Sequence, residues 1–335
     1  MSQRIYITGA TGYLGSVLAK RLVDEGTHVV ALVRAESDPQ QVAELESRGV
    51  VTSKGDVTDR FSLRSGMSGA DWVIHTAACV DMHAPEEILY ETNVEGSENV
   101  ASLAYKLGVP RFLSVSSMAY WGGSPPDGSL ADEGSQVYEF PNPYSATKHA
   151  GEQAIRRWAE RGLRAYTVFP SLIYGPPGKH GGTNALLRIA AEGRMPFLVG
   201  GSRKLSWVYV DDVADAMVRI LDRAEDSEAP IEPGRGYILA GEVATLGDVT
   251  RRVCEIAGHR PPRMSVPIFW AKGVLGLWGL LAKMGGPRPP ATPAHLRNLQ
   301  RHWAFDDSRA RRELGWQPRS LAEGLPPTVE MLLRD

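Results

Sequence analysis

Cysteine is scarce. Only Cys79 and Cys254 occur, far apart, which leaves no basis for a disulfide framework or a zinc pattern of paired cysteines. The eight histidines are scattered with no pair at metal-ligand spacing, and no metal site is expected. Neither charge sign dominates: 37 basic against 39 acidic residues give a formal net charge of −2, with no strong basic block. Nucleic acid is therefore not expected as a partner. Tandem repeats and long low-complexity linkers are also missing. The most apolar stretch, 268–284, is interrupted by Lys272, Lys283 and three glycines, and its uncharged core, 273–282, is too short to span a bilayer. That stretch could cap an apolar substrate pocket, pack as a core helix, or lie against a membrane surface. Met1-Ser2-Gln3-Arg4-Ile5 leads into a strand-like run without the basic-then-apolar pattern of a signal segment, so a cytoplasmic location is the expectation.

What is present is a chain of 335 residues, 43% hydrophobic, long enough for a large core and a second, smaller region. Arg4 to Thr8 is a β-rich run, followed by Gly9-Ala10-Thr11-Gly12-Tyr13-Leu14-Gly15 and a helix-period segment to about Glu25. Strand, glycine turn and helix are the context of a dinucleotide site. The glycines let backbone approach a pyrophosphate, and the helix N-terminus adds positive partial charge. The spacing is G-x-x-G-x-x-G rather than the standard G-x-G-x-x-G. The next strand, His28 to Val33, ends at Arg34. A carboxylate there would suit the ribose hydroxyls of NAD, whereas a guanidinium suits the 2′-phosphate of NADP. Glu36 lies close by. NADP(H) is the favoured cofactor, with NAD(H) left open.

Val50 to Ser53 predicts a third strand running into Gly55-Asp56-Val57; Asp56 could accept from an adenine amine or cap a turn. Trp72 to His75 is a continuous apolar strand leading to the small residues Thr76-Ala77-Ala78. A long helix is expected over about 86–107, with Asn93 as a polar member. Phe112 to Val115 gives a fifth strand ending in Ser116-Ser117, and 122–141 reads as a loop over the site. Arg164 to Phe169 is a sixth strand, ending in Pro170-Ser171-Leu172-Ile173-Tyr174-Gly175-Pro176. Such alternation predicts an α/β fold, a Rossmann-type doubly wound parallel sheet whose ligands bind at the C-terminal strand ends. Residues 1–175 are expected to form the dinucleotide-binding domain, with 207–241 returning to it. A smaller, mostly helical substrate-binding region is expected from 176–206 and 242–335.

Asn142-Pro143 is a strong helix start, with the cap and the first helical position both well filled. Tyr144, Lys148, Gly151, Ile155 and Trp158 then fall on one stripe at helical spacing, turned toward the protein body. A buried ammonium one turn from a phenol stabilises the phenolate, which lowers the tyrosine pKa and suits it to acid/base work between carbonyl and alcohol.

Taken in order, the glycine turn, Ser117, Tyr144-x-x-x-Lys148, the Pro170 to Pro176 run and Val210-Asp211-Asp212-Val213-Ala214 resemble the extended short-chain dehydrogenase/reductase superfamily, in its epimerase/dehydratase-like branch. The resemblance runs from about Ile5 to Asp215. It implies that Tyr144 exchanges a proton with the substrate oxygen, that Lys148 holds the nicotinamide ribose, and that Ser117 hydrogen-bonds the reacting oxygen. It implies further that Asn93 orders the site, that backbone at Tyr13 and Leu14 meets the pyrophosphate, and that Asp56 and Val57 meet the adenine. Ala77 and Ala78 would line the cofactor, with Pro170 and Ile173 near the nicotinamide. Members often form homodimers through the helices represented here by 86–107 and 143–161.

Nucleotide-sugar members carry Arg-Pro-x-Asn before Tyr-Gly-Pro and an arginine just before Val-Asp-Asp. Here Phe169-Pro170-Ser171-Leu172 and Leu205-Ser206 stand in those places, with Arg203 nearby but offset. The pattern is closer to hydroxysteroid dehydrogenase-like and dihydroflavonol reductase-like members. The expected activity is NADP(H)-dependent interconversion of a ketone and a secondary alcohol on a small hydrophobic substrate. The alternatives are a nucleotide-sugar epimerase or dehydratase with retained NAD, and a non-catalytic NADP-sensing regulator.

Overall fold

The computed structural model describes residues 3–178, 182–266, 270 and 293–334. Strands β1 (Arg4–Thr8), β2 (His28–Val33), β3 (Val51–Lys54), β4 (Trp72–His75), β5 (Arg111–Val115) and β6 (Ala165–Pro170) alternate with helices α1 (Tyr13–Asp24), α2 (Pro39–Ser47), α3 (Arg64–Met67), α4 (Glu86–Tyr90), α5 (Gly96–Lys106) and α6 (Pro143–Ala159). Further along lie β7 (Leu172–Tyr174), α7 (Gly182–Ala191), β8 (Leu198–Val199), β9 (Lys204–Tyr209), α8 (Val210–Glu225), β10 (Gly236–Leu239), β11 (Glu242–Thr245), α9 (Leu246–Ile256) and β12 (Ser265–Val266). The main sheet is seven-stranded in the order β10-β6-β5-β4-β1-β2-β3, and every pairing in it is parallel. This is the doubly wound, Rossmann-type sheet, with the order reversing between β1 and β4.

Both faces of the sheet are covered, which is why β4 and β6 are buried at every residue and are mostly apolar, with His75 and Thr167 as polar members. One core lies between the sheet and the pair α1 and α8, around Leu18, Trp72, Tyr166 and Val213. The opposite core joins the sheet to α5 and α6 through Phe112, Val100, Ile155 and Trp158. A third apolar cluster, built on Trp121, Phe169, Trp207, Phe305 and Leu325, supports the smaller region.

The segment 207–241 divides. Helix α8 packs on α1 and β10 enters the main sheet beside β6, whereas β9 joins a separate three-stranded sheet with β7 and antiparallel β11. The single helix expected over 86–107 is corrected: α4 and α5 are joined by a π-helical turn, Glu91–Glu95, centred on Asn93. A π turn adds one residue to the ring and re-aims the backbone, a device common at functional sites. Among the described residues no helix is long and apolar enough to cross a membrane. Apart from Trp270, the apolar stretch 268–284 lies outside the described residues.

Candidate active site

The C-terminal ends of the parallel strands carry the candidate residues. Gly9 leaves β1 at φ +77°, and a Cβ there would come 2.6 Å from the Ala77 nitrogen. Gly15 is tighter still, since its Cβ would lie 2.1 Å from the Gly9 carbonyl oxygen. Between them, exposed Gly12 caps α1 without a side-chain hydrogen bond. The first-turn N–H groups at Tyr13, Leu14 and Gly15 have no partner within the helix and point outward from its positive end. Thr11 is half-buried in the same turn. This cradle fits a dinucleotide pyrophosphate, because Gly9 and Gly15 let strand, turn and helix close on one another and leave the first-turn N–H groups at the helix's positive end for such a group.

The Tyr13 side chain adds a feature absent from the sequence reading. Its hydroxyl donates to the carbonyl of Gly175, and Asn184 Nδ2 approaches that hydroxyl at 3.5 Å. Asn184 also exchanges hydrogen bonds with both backbone groups of Gly175. Turn and distal loop are thus latched together.

Arg34 follows β2, exposed, and its guanidinium makes no ion pair among the described residues. Asp56 does what a turn-capping aspartate does: Oδ1 accepts from the Thr58 N–H at 2.9 Å and its hydroxyl at 2.8 Å. Val57 is buried against Gly96 on α5. Ala77 and Ala78 are half-buried beyond β4. Pro170 ends β6 and Ile173 lies on β7, paired with Val208. Arg34 and Asp56 therefore occupy the β2–β3 side of the sheet edge, away from Tyr144, while the glycine turn and 76–79 lie between.

Helix α6 begins as its sequence directs: Asn142 Oδ1 accepts from the Ser145 N–H at 2.8 Å, with Pro143 in the first turn. Its inward stripe brings Tyr144, Lys148, Gly151, Ile155 and Trp158 to the protein body. Gly151 allows the closest approach, because a Cβ would fall 2.1 Å from the Asn93 carbonyl oxygen on the π turn. Asn93 holds Cys79 at both backbone groups and reaches Thr147, the residue before Lys148, at 3.1 Å. Ser117 and Tyr144 meet through a hydrogen bond that draws the phenol down, although burial outweighs it and holds the phenol above its ordinary value.

The lowering expected from Lys148 is therefore corrected. Lys148 Nζ donates to the Val115 carbonyl oxygen at 2.9 Å, and burial brings its own pKa down to about 8. One N–H of its ammonium is thus committed to the strand. Ser117, Tyr144, Lys148 and Asn93 are nonetheless gathered in one place.

His75 is structural. Its Nδ1 lies 2.7 Å from Thr8 Oγ1 and its Nε2 3.1 Å from Ser97 Oγ, which gives its own proton to the Asn93 carbonyl at 2.7 Å. Nε2 must then be the donor. Burial and the Lys148 charge push the ring down to about 3, so it is neutral around pH 7.

Tyr144 and Leu172 pack against the apolar cluster that contains Met118, Tyr120, Trp121 and Phe169. Nearby arginines are committed elsewhere: Arg203 lies 3.1 Å from His302 Nε2, Arg297 donates to the Pro141 carbonyl, and Arg301 to that of Gly122 at 2.7 Å. Sequence reasoning missed Glu152, buried one turn beyond Lys148. The signal was its i+4 spacing, masked because a carboxylate looks out of place on an apolar stripe.

Residues 5–232 match the NAD dependent epimerase/dehydratase family. Sterol demethylase protein B of Methylococcus capsulatus is 32% identical over 321 residues, covering 94% of this chain and 93% of that protein. The 2-alkyl-3-oxoalkanoate reductase of Stenotrophomonas maltophilia is 28% identical over 333 residues, covering 96% and 97%. The crystal structure of gox2253 superposes with a TM-score of 0.83 at 32% identity, covering 98% of each chain. Family match, fold and relatives agree: this chain is an oxidoreductase-type enzyme of the NAD-dependent epimerase/dehydratase family, within the extended short-chain dehydrogenases/reductases.

Proposed function

We propose that the protein catalyses NADP(H)-dependent interconversion of a ketone and a secondary alcohol on a small hydrophobic substrate. The observation that carries this reading is the disposition of the arginines. Among the described residues Arg34 stands exposed without an ion-pair partner, which suits it to a 2′-phosphate, while Arg203 lies 3.1 Å from His302 Nε2. A sugar-nucleotide diphosphate needs fixed cations, and Phe169, Pro170 and Leu205 offer none. The apolar cluster beside Tyr144 supports an uncharged substrate, as do relatives named as reductases of oxoalkanoates and of a farnesyl-dihydroquinoline oxide.

The nicotinamide, when bound, supplies or accepts the hydride. Tyr13 and Leu14 would hold its pyrophosphate by backbone N–H groups, Arg34 its 2′-phosphate, and Asp56 and Val57 its adenine. Ala77, Ala78, Pro170 and Ile173 would flank it, and Lys148 would hold the ribose. Burial keeps the Tyr144 hydroxyl protonated at neutral pH, which suits a proton donor to a carbonyl oxygen. Ser117 donates a second hydrogen bond to that oxygen and steadies the charge that develops there. A homodimer through 86–107 and 143–161 belongs to the same reading, supported by the exposed Ile88, Tyr90 and Tyr105.

Purified protein is assayed for NADPH consumption against pooled apolar ketones, with NADH and a nucleotide-sugar pool in parallel. Consumption with NADPH and ketones, abolished by Tyr144→Phe, is the expected result. Isomerised nucleotide sugars without net cofactor use would replace this reading by the epimerase one, and cofactor binding without turnover on either pool would favour a sensor.

A further inference from the structure

Helix α6 carries a second buried charge that the chemistry above leaves unused. Glu152 lies on the same face as Lys148, one turn on, with its side chain 2% exposed. Its Oε1 accepts from the Thr167 hydroxyl at 3.0 Å and from Arg156 Nε at 3.2 Å. Its Oε2 lies 3.3 Å from the Ser114 hydroxyl, which is also 3.1 Å from Thr167 Oγ1. One carboxylate thus fastens α6 to both β5 and β6. Ser114 immediately precedes Val115, whose carbonyl oxygen receives Lys148 Nζ at 2.9 Å. Carboxylate, strand carbonyl and ammonium form one buried unit.

A carboxylate removed from water is costly unless hydrogen bonds and opposite charge meet it. Arg156 is 47% exposed and reaches Glu152 from the solvent side, where water weakens its charge without cancelling it. Lys148 is buried on the same stripe. A plain fastener would need only neutral oxygen acceptors for the strands' donating hydroxyls, so the full charge calls for another partner. We infer that Glu152 is a positioning residue for Lys148, supplying the buried counter-charge to its ammonium and fixing, through Ser114, the carbonyl to which that ammonium donates. Glu152 is also the group that opposes the downward pull of burial on Lys148. Among the described residues the other titratable or charged groups bearing on the pair are Arg156, the Tyr144 phenol one turn before Lys148 and, from the end of β4, neutral His75.

The inference rests on the role given to Lys148 above, but its test does not require turnover. Lysines are labelled with ¹³C at the ε carbon, and the Lys148 signal is assigned by its loss in Lys148→Met. Glu152→Gln keeps the shape and one acceptor oxygen while removing the charge, and is expected to lower the Lys148 titration midpoint by about one pH unit. Arg156→Gln removes a competing exposed cation and is expected to raise it. In turnover, the alkaline limb of kcat/KM should move the same way. An unmoved midpoint in Glu152→Gln overturns the inference. Should that variant not fold, a midpoint that fails to rise in Arg156→Gln overturns it instead. Shifted midpoints alongside an enzyme inert toward ketones would uphold the inference and fault the proposed substrate.

Discussion

The side-chain amide of Asn93 grips Cys79 at both backbone groups: Oδ1 takes its N–H at 2.8 Å and Nδ2 gives to its carbonyl oxygen at 3.0 Å. With the further bond to Thr147, one residue holds the segment beyond β4 at a set distance from the start of α6. Asn93→Asp keeps the size but loses the donor, leaving two buried acceptors facing a third. It is expected to cost about 1–3 kcal/mol in urea denaturation and to reduce turnover more than cofactor affinity. A variant that unfolds at the wild-type urea concentration would show that the clamp contributes nothing.

Arg34→Ser removes an exposed guanidinium that makes no ion pair among the described residues, so stability should be unchanged. Affinity for NADPH is expected to fall about 10- to 100-fold, the worth of charge-assisted hydrogen bonds to a phosphate, with NADH little affected. Fluorescence titration with both cofactors checks this; equal losses for the two would remove Arg34 from the 2′-phosphate.

Gly15→Ala should abolish cofactor binding, because its Cβ would fall 2.1 Å from the Gly9 carbonyl oxygen. Gly12→Ala, with 3.1 Å to the same oxygen, should weaken binding without abolishing it. Calorimetric titration of the two variants gives the order, and the reverse order would mean the turn is not the phosphate cradle.

His75 makes stability depend on acid. Its ring titrates at about 3 in the folded chain against an ordinary 6.5, so between those values the unfolded chain holds more protons. Stability is full above about 6.5 and falls as pH drops toward 3, by up to about 1.4 kcal/mol per unit. Urea denaturation at about pH 7 and about pH 5 should show this loss in the wild type and a smaller one in His75→Gln. Equal losses in the two proteins would exonerate the histidine.

The sheet was readable because its signals are local. Buried parallel strands are short apolar runs, glycines mark the turn after β1, and Asn142-Pro143 announces α6. The π turn at Asn93 was not readable, since a one-residue insertion leaves helix-forming residues such as Glu91 and Glu95 unchanged. Glu152 was overlooked because its partners, Ser114 and Thr167, lie on strands that only the tertiary fold brings to it. The phenol of Tyr144 went the other way from expectation for a similar reason. Spacing places Lys148 beside it, but neither the burial that raises the phenol nor the Val115 carbonyl that accepts from the lysine is encoded in the helix.

Strand β10 has a consequence for how the chain tolerates being cut. It is the last member of the main sheet, and its Ile238 N–H is covered by Glu133 while Asp307 receives the N–H of Gly241 just beyond it. The segment bearing the family signature ends at 232, four residues before β10 begins. A fragment trimmed to that signature would contain every residue assigned to chemistry, yet it would leave β6 as a bare, largely apolar edge from Ala165 to Pro170. Unpaired edges of that kind recruit other chains. The far end of this polypeptide therefore acts as a guard against self-association, and a minimal catalytic fragment would precipitate before it could be assayed.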